Sequence, residues 1–276
     1  KKHMLPVLVL FIPQVASQIY TVLDKTMLGI YSPTVDVGYY DQSQKIVRIL
    51  LTIITSLGMV MMPRIASLTS KNQHDLVKDT LKKSFTVISF LAVPIAFGIM
   101  SVSDRFIPLF FGYEYISVIP LLKISSVLII IIGLGNVFGT QYMIAVGKNK
   151  EYTISVCAGA VVNFVLNLIL IPKYSALGAV IATVSAESTI ALIQLWYSRE
   201  IVDVSWIKET YKYWVAGILM LVLVSLMGEG TQRNFIILAK QIVTGIVVYF
   251  GSLIILRDKM LKNSFNVVKE KLKKNK

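Results

Sequence analysis

Eight mostly apolar stretches dominate this chain: 5–31, 46–66, 85–102, 124–146, 152–171, 176–197, 211–227 and 235–256. A helix needs about 20 such residues to cross about 30 Å of hydrocarbon. Inside lipid the backbone must satisfy its own hydrogen bonds, so only helices and closed barrels can span. None of the eight alternates apolar and polar residues as a barrel strand would. The fold class expected is therefore an all-α polytopic membrane protein with eight transmembrane helices. Pro6, Pro13 and Pro94 fall in or near spans, where membrane helices tolerate them. The first stretch is too long and too polar in its second half for a signal peptide, and it lacks a small-residue cleavage site.

Composition removes the competing classes. The net charge of +13 would suit a nucleic-acid binder, but only 16% of residues are charged and 55% are hydrophobic. Soluble domains carry roughly 25% charged residues. Disorder needs low hydrophobicity, and a single cysteine, Cys157, cannot build a disulfide framework. No nucleic-acid partner is expected.

Where the charge lies sets the orientation. Taking loops on alternate sides, 20 Lys and Arg fall on the side that holds both termini, and three (Arg105, Lys173 and Arg233) on the other. Both termini are thus expected in the cytoplasm of a multi-pass cytoplasmic-membrane protein. Two basic segments on that side have apolar faces, one through Leu76, Val77 and Leu81, the other through Leu261, Phe265, Val268 and Leu272. Each is read as an amphipathic helix on anionic lipid, or as a solvated stretch.

Five bases remain for the membrane or its outer boundary: Lys25, Lys45, Arg48, Lys123 and Lys240, against two acids, Asp24 and Glu187. The uncharged run 49–62 is about 21 Å of helix, too short to cross unless the helix extends through Arg48 or Arg64. Lys45, Arg48, Thr52 and Thr55 fall on one helical face. Gln14, Gln18, Thr21 and Lys25 make a similar stripe, with Asp24 beside it. Such stripes face a bundle interior or a hydrated cavity. Glu187 lies mid-span and must be protonated, paired or hydrated. Asn163 and Asn167 stack at i, i+4, as do Asn136 and Thr140, either as interhelical glue or as cavity ligands. Lys123 and Lys240 also fit snorkelling residues at helix ends. Together these residues describe a cationic cavity suited to an anionic phosphate or pyrophosphate group.

Reactive chemistry has no such signature. His3 and His74 lie outside the spans, and no CxxC, HExxH or P-loop pattern occurs. No catalytic residue, metal ligand or cofactor is assigned, and the chain is read as a non-enzyme.

Five segments carry a family resemblance: FIPQVASQIYTVLDKTMLG at 11–29, VMMPRIASL at 60–68, FIPLFFGYEY at 106–115, GLGNVFGTQYMIAVGKNKEYTISV at 133–156 and VVNFVLNLILIPKYSALGAVIATVSAE at 161–187. In order and spacing they resemble Wzx-type oligosaccharide flippases of the multidrug/oligosaccharidyl-lipid/polysaccharide exporter superfamily, particularly those of Gram-positive capsule loci. The resemblance implies two six-helix lobes, often followed by two extra helices. It implies alternating-access flipping of undecaprenyl-pyrophosphate-linked repeat units, with a proton or sodium gradient as energy source. On this reading 1–206 is the second lobe, 207–256 two additional helices and 257–276 a basic tail. The partners implied are a lipid-linked anionic oligosaccharide, membrane lipids and the first lobe of the same protein, which this chain lacks. Lys25, Arg48 and Lys45, with Gln14, Gln18 and Thr52, are the implied substrate contacts. Asp24 and Glu187 are implied as charge partners or coupling sites; Asn136, Asn163 and Asn167 complete the polar lining. A drug or cation antiporter of the same superfamily, and a membrane polymerase or glycosyltransferase, are the competing readings.

Overall fold

The structure, a computed structural model, describes residues 4–227 and 234–262; on the first helix it describes the side chains of Phe11, Val15 and those from Gln18 onward. Among the described residues the chain is helical throughout, without strands. The helices are α1 (Met4–Tyr31), α2 (Thr34–Ser70), α3 (His74–Phe110), α4 (Val118–Ser125), α5 (Val127–Asn136), α6 (Asn149–Tyr197), α7 (Val204–Ser225) and α8 (Phe235–Ile255). A π-helical segment, Val137–Ile144, continues α5. Five helical stretches, with α4 through the π segment counted as one, are long and apolar enough by themselves to cross a membrane. The eight expected spans all fall on helix. The chain is a multi-pass membrane protein.

Hydropathy misplaces the ends of two spans. α2 and α3 each have 37 residues, about 55 Å of helix, well beyond the hydrocarbon thickness. α2 therefore runs through both Arg48 and Arg64. The segment expected as a surface helix at 71–83 is instead mostly the start of α3. Its Val77 and Leu81 are buried in the main core and only Leu76 is exposed. Phe265, Val268 and Leu272 lie outside the described residues.

α6 is a hairpin. Its arms, 149–174 and 176–197, meet at Ser175, whose φ of 49° and ψ of −130° break the helix three residues after Pro172. The arms run antiparallel, because Gly159 packs on Ile190 and the Ser155 hydroxyl accepts from the Gln194 amide at 3.2 Å. A Cβ at Gly178 would sit 2.3 Å from the Leu170 carbonyl oxygen, so the tight return requires glycine there. The Ser175 hydroxyl also donates to Asp36 near the start of α2.

α1 packs along this hairpin, and α2 through α5 close the main core beside it. α7 and α8 pack on α3 and on each other around Tyr213, Met220 and Tyr249. The face holding the turns 71–73, 147–148 and 198–203 is the basic face; the tip of the α6 hairpin and the turn 32–33 lie on the opposite face.

Candidate functional site

Two buried carboxylates organise the interior. Asp24, on α1, is 1% exposed. Its oxygens accept from Tyr40 Oη at 2.7 Å, Asn167 Nδ2 at 2.6 Å and Thr183 Oγ1 at 3.1 Å. Hydroxyl and amide donors thus replace the water that a carboxylate loses on burial, without which its desolvation would cost several kcal/mol. Asn163 supports the cluster by accepting from Asn167 at 3.0 Å. Glu187, on the second arm of α6, accepts a 2.6 Å hydrogen bond from Tyr20 Oη of α1, a length typical of a charge-assisted O–H···O⁻ bond.

Asp24, Glu187, Tyr20, Tyr40 and Thr183 line a pocket of about 230 Å³ together with Gln18, Gln44 and Arg48, while Asn163 and Asn167 lie behind it. Arg48 rises from α2, exposed at the pocket edge, with its guanidinium 3.4 Å from the Thr21 hydroxyl. Its charge acts on Glu187 and Tyr40 across the pocket. The pocket therefore holds two carboxylates and one guanidinium.

The remaining expected residues are placed differently. Lys25 and Lys45 meet at Asp41, with Lys45 Nζ 2.7 Å from the carboxylate. Asp41 lies on α2 and offsets both lysines, so the intramembrane excess of bases is not carried into the pocket. Thr52 is exposed and returns its hydroxyl to the Arg48 carbonyl at 2.9 Å, as hydroxyls in membrane helices commonly do. Lys123 pairs with Asp104 at 2.7 Å, and Lys240 is exposed; neither reaches the pocket. Gln14 lies on α1, but its side chain is outside the described ones. Asn136 accepts from Gln141 at 3.1 Å, while Gln141 accepts from Ser84 at 2.6 Å. Asn163 and Asn167 are both fully buried.

Tyr20, Tyr40, Gln44 and Asp41 are the residues that sequence reasoning missed. The last three lie where the second span was drawn too short. Tyr40, Gln44 and Arg48 recur at i, i+4 and i+8, a signal that becomes readable once α2 begins at Thr34.

Residues 6–120 match the family model described as a polysaccharide biosynthesis protein. The chain is 22% identical over 200 residues to a probable low-salt glycan biosynthesis flippase, Agl15, of Haloferax volcanii, covering 70% of this chain and 41% of that protein. It is 25% identical over 191 residues to a putative O-antigen transporter of Escherichia coli, covering 68% and 45% respectively. Among solved structures, the lipid II flippase MurJ in an inward closed conformation superposes with a TM-score of 0.76 at 21% identity, over 91% of this chain and 53% of that one. The chain thus spans about half the length of the relatives it matches. These named relatives are flippases and transporters rather than enzymes. Matched segment, relatives and fold all agree with the resemblance to Wzx-type flippases read from the sequence.

Proposed function

We propose that this chain forms one lobe, with two accessory helices, of a flippase for lipid-linked oligosaccharide. The substrate is an undecaprenyl-pyrophosphate-linked repeat unit for surface polysaccharide, moved by alternating access across the cytoplasmic membrane. Residues 1–206 form the lobe, 207–256 the accessory pair and 257–276 a basic cytoplasmic tail. Both termini face the cytoplasm, which places the α6 hairpin tip outside. The partner across the substrate path is a first lobe of the same protein.

The observation that carries this reading is Arg48, an exposed guanidinium on a membrane-spanning helix at the mouth of a polar pocket. A guanidinium there offers a bidentate contact to phosphate oxygens. Lys25 and Lys45 flank it but share Asp41, so they add field more than contact. Gln18 supplies a neutral donor and acceptor for sugar hydroxyls. Asp24 and Glu187 are the coupling groups, taking a proton or a sodium ion as the gradient drives the cycle.

Two carboxylates against one guanidinium also favour a second reading, export of a cationic drug. One experiment separates the two. Cells producing the full-length protein as Arg48→Glu should lose surface polysaccharide and accumulate lipid-linked repeat units inside. Normal surface polymer from a well-produced variant removes Arg48 from the substrate path. Dye efflux by the wild-type protein, with polysaccharide unchanged on deletion, establishes the antiporter instead.

A further inference from the structure

A second polar cavity lies on the other side of Glu187. It has a volume of about 190 Å³ and is lined by Asn136, Thr140, Tyr152 and Gln194 among apolar neighbours. It shares only Tyr20, Ile132 and Glu187 with the pocket that holds Arg48 and Asp24. The pair joined by the 2.6 Å bond is thus the polar partition between two chambers.

The positions along the helices tell where each chamber leads. Tyr152 is in the first turn of α6, and Gln194 in the last, so both lie within about 8 Å of the basic face. Asp24, Tyr40 and Gln44 occupy the half toward the opposite face. Within the inner chamber the Tyr152 hydroxyl bonds Thr140, and Tyr152 lies within electrostatic reach of Glu187. A line of polar groups therefore leads from the basic surface to a carboxylate at mid-membrane, where ionisable residues are costly and functional by default.

We propose that the inner chamber is a proton path between Glu187 and the basic face, and that the Tyr20–Glu187 hydrogen bond is the gate between it and the outer pocket. The inference rests on the transporter reading above and assigns the coupling proton a route. When Glu187 is ionised, the Tyr20 hydroxyl donates to it and ties α1 to the hairpin. A proton delivered from the outer pocket forms the neutral acid, and the charge that strengthens this bond is gone. α1 is then released from α6, and the proton leaves through the inner chamber toward the basic face when the carboxylate re-forms. The charged and titratable groups facing Glu187 are Tyr20 and Asp24 from α1, Tyr40 and Arg48 from α2 and Tyr152 from the first arm of α6. α5 and the π segment present only the neutral Asn136 and Thr140.

The test is cysteine accessibility in the full-length protein with Cys157→Ser, using a membrane-impermeant sulfonated maleimide on inverted and right-side-out vesicles. Thr140→Cys should label from the basic face, and about tenfold or more slowly from the opposite face, as expected when the open gate is a minor state. Gln18→Cys should show the reverse preference. Adding Tyr20→Phe, which removes one oxygen and leaves the ring, should make Thr140→Cys reachable from both faces. Equal labelling of Thr140→Cys from both faces without that change overturns the gate. Labelling from neither face, while denatured protein labels fully, overturns the access path. Failure of the wild-type protein to move lipid-linked glycan in the same vesicles would count against the flippase reading alone, because the labelling asymmetry is read independently.

Discussion

Asn167 donates its side-chain amide to Asp24 across 2.6 Å, joining the α6 hairpin to α1 over 143 residues of sequence. The bond is buried and its acceptor is a carboxylate, so its loss is expensive. Asn167→Leu should destabilise the protein by about 1.5–3 kcal/mol, the worth of a hydrogen bond to a charged group, seen as a lower melting temperature in detergent. Asp24→Asn keeps the shape and removes the charge. It should melt close to wild type while losing gradient-driven transport.

Asp41 holds two lysines, and both pairs are partly solvated. Exposed ion pairs contribute about 0–1 kcal/mol. Asp41→Asn should therefore leave the melting temperature nearly unchanged. Freed of their shared partner, Lys25 and Lys45 should make substrate binding more sensitive to added salt. A large loss of stability would show that this cluster is structural instead.

Gly58 and Asn136 lie against each other where α2 crosses the end of α5. A Cβ at residue 58 would stand 2.2 Å from Asn136 Oδ1. Gly58→Ala should cost about 1–3 kcal/mol by overpacking. Combining it with Asn136→Ala should recover part of that loss, which a double-mutant cycle of melting temperatures measures.

On the basic face, Asp203 caps α7 by accepting from the Ser205 N–H at 2.8 Å. That backbone hydrogen bond, followed by the Ser205 side chain and then the nearby Lys78 and Lys82, holds the carboxyl below its usual value, with slight desolvation opposing. A lowered carboxyl stabilises the fold above its unfolded value near 4 and ceases to as pH falls through its folded value. The melting temperature should therefore drop in that acidic window. Asp203→Asn, which still caps but does not titrate, should show a smaller drop there.

The membrane class, the eight apolar segments and the reversal between 171 and 176 were all legible from hydropathy and from Pro172 beside Lys173. The ends of α2 and α3 were not, because those helices continue past the bilayer into polar sequence that hydropathy reads as loop. Asp41 lies in one of those stretches. Arg48, Asp24 and Glu187 stood out because ionisable residues in a span demand a reason. Their partners did not. Tyr20 carries no signal of its own in the sequence, and nothing local links it to a carboxylate 167 residues away. Glu187 was legible only as protonated, paired or hydrated; the fold supplies a phenol hydroxyl. Asn163 and Asn167 were legible as a pair, but their service to Asp24 depends on how α1 lies along the hairpin.

The most direct test of the central claim uses the full-length protein in proteoliposomes with a fluorescent undecaprenyl-pyrophosphate-linked oligosaccharide. The fraction of glycan open to an external, membrane-impermeant glycosidase is followed with time. Wild-type protein should expose the inner-leaflet pool, faster under an ion gradient, and Arg48→Glu should leave that pool protected. An inner pool as protected with wild-type protein as in empty vesicles would contradict the account.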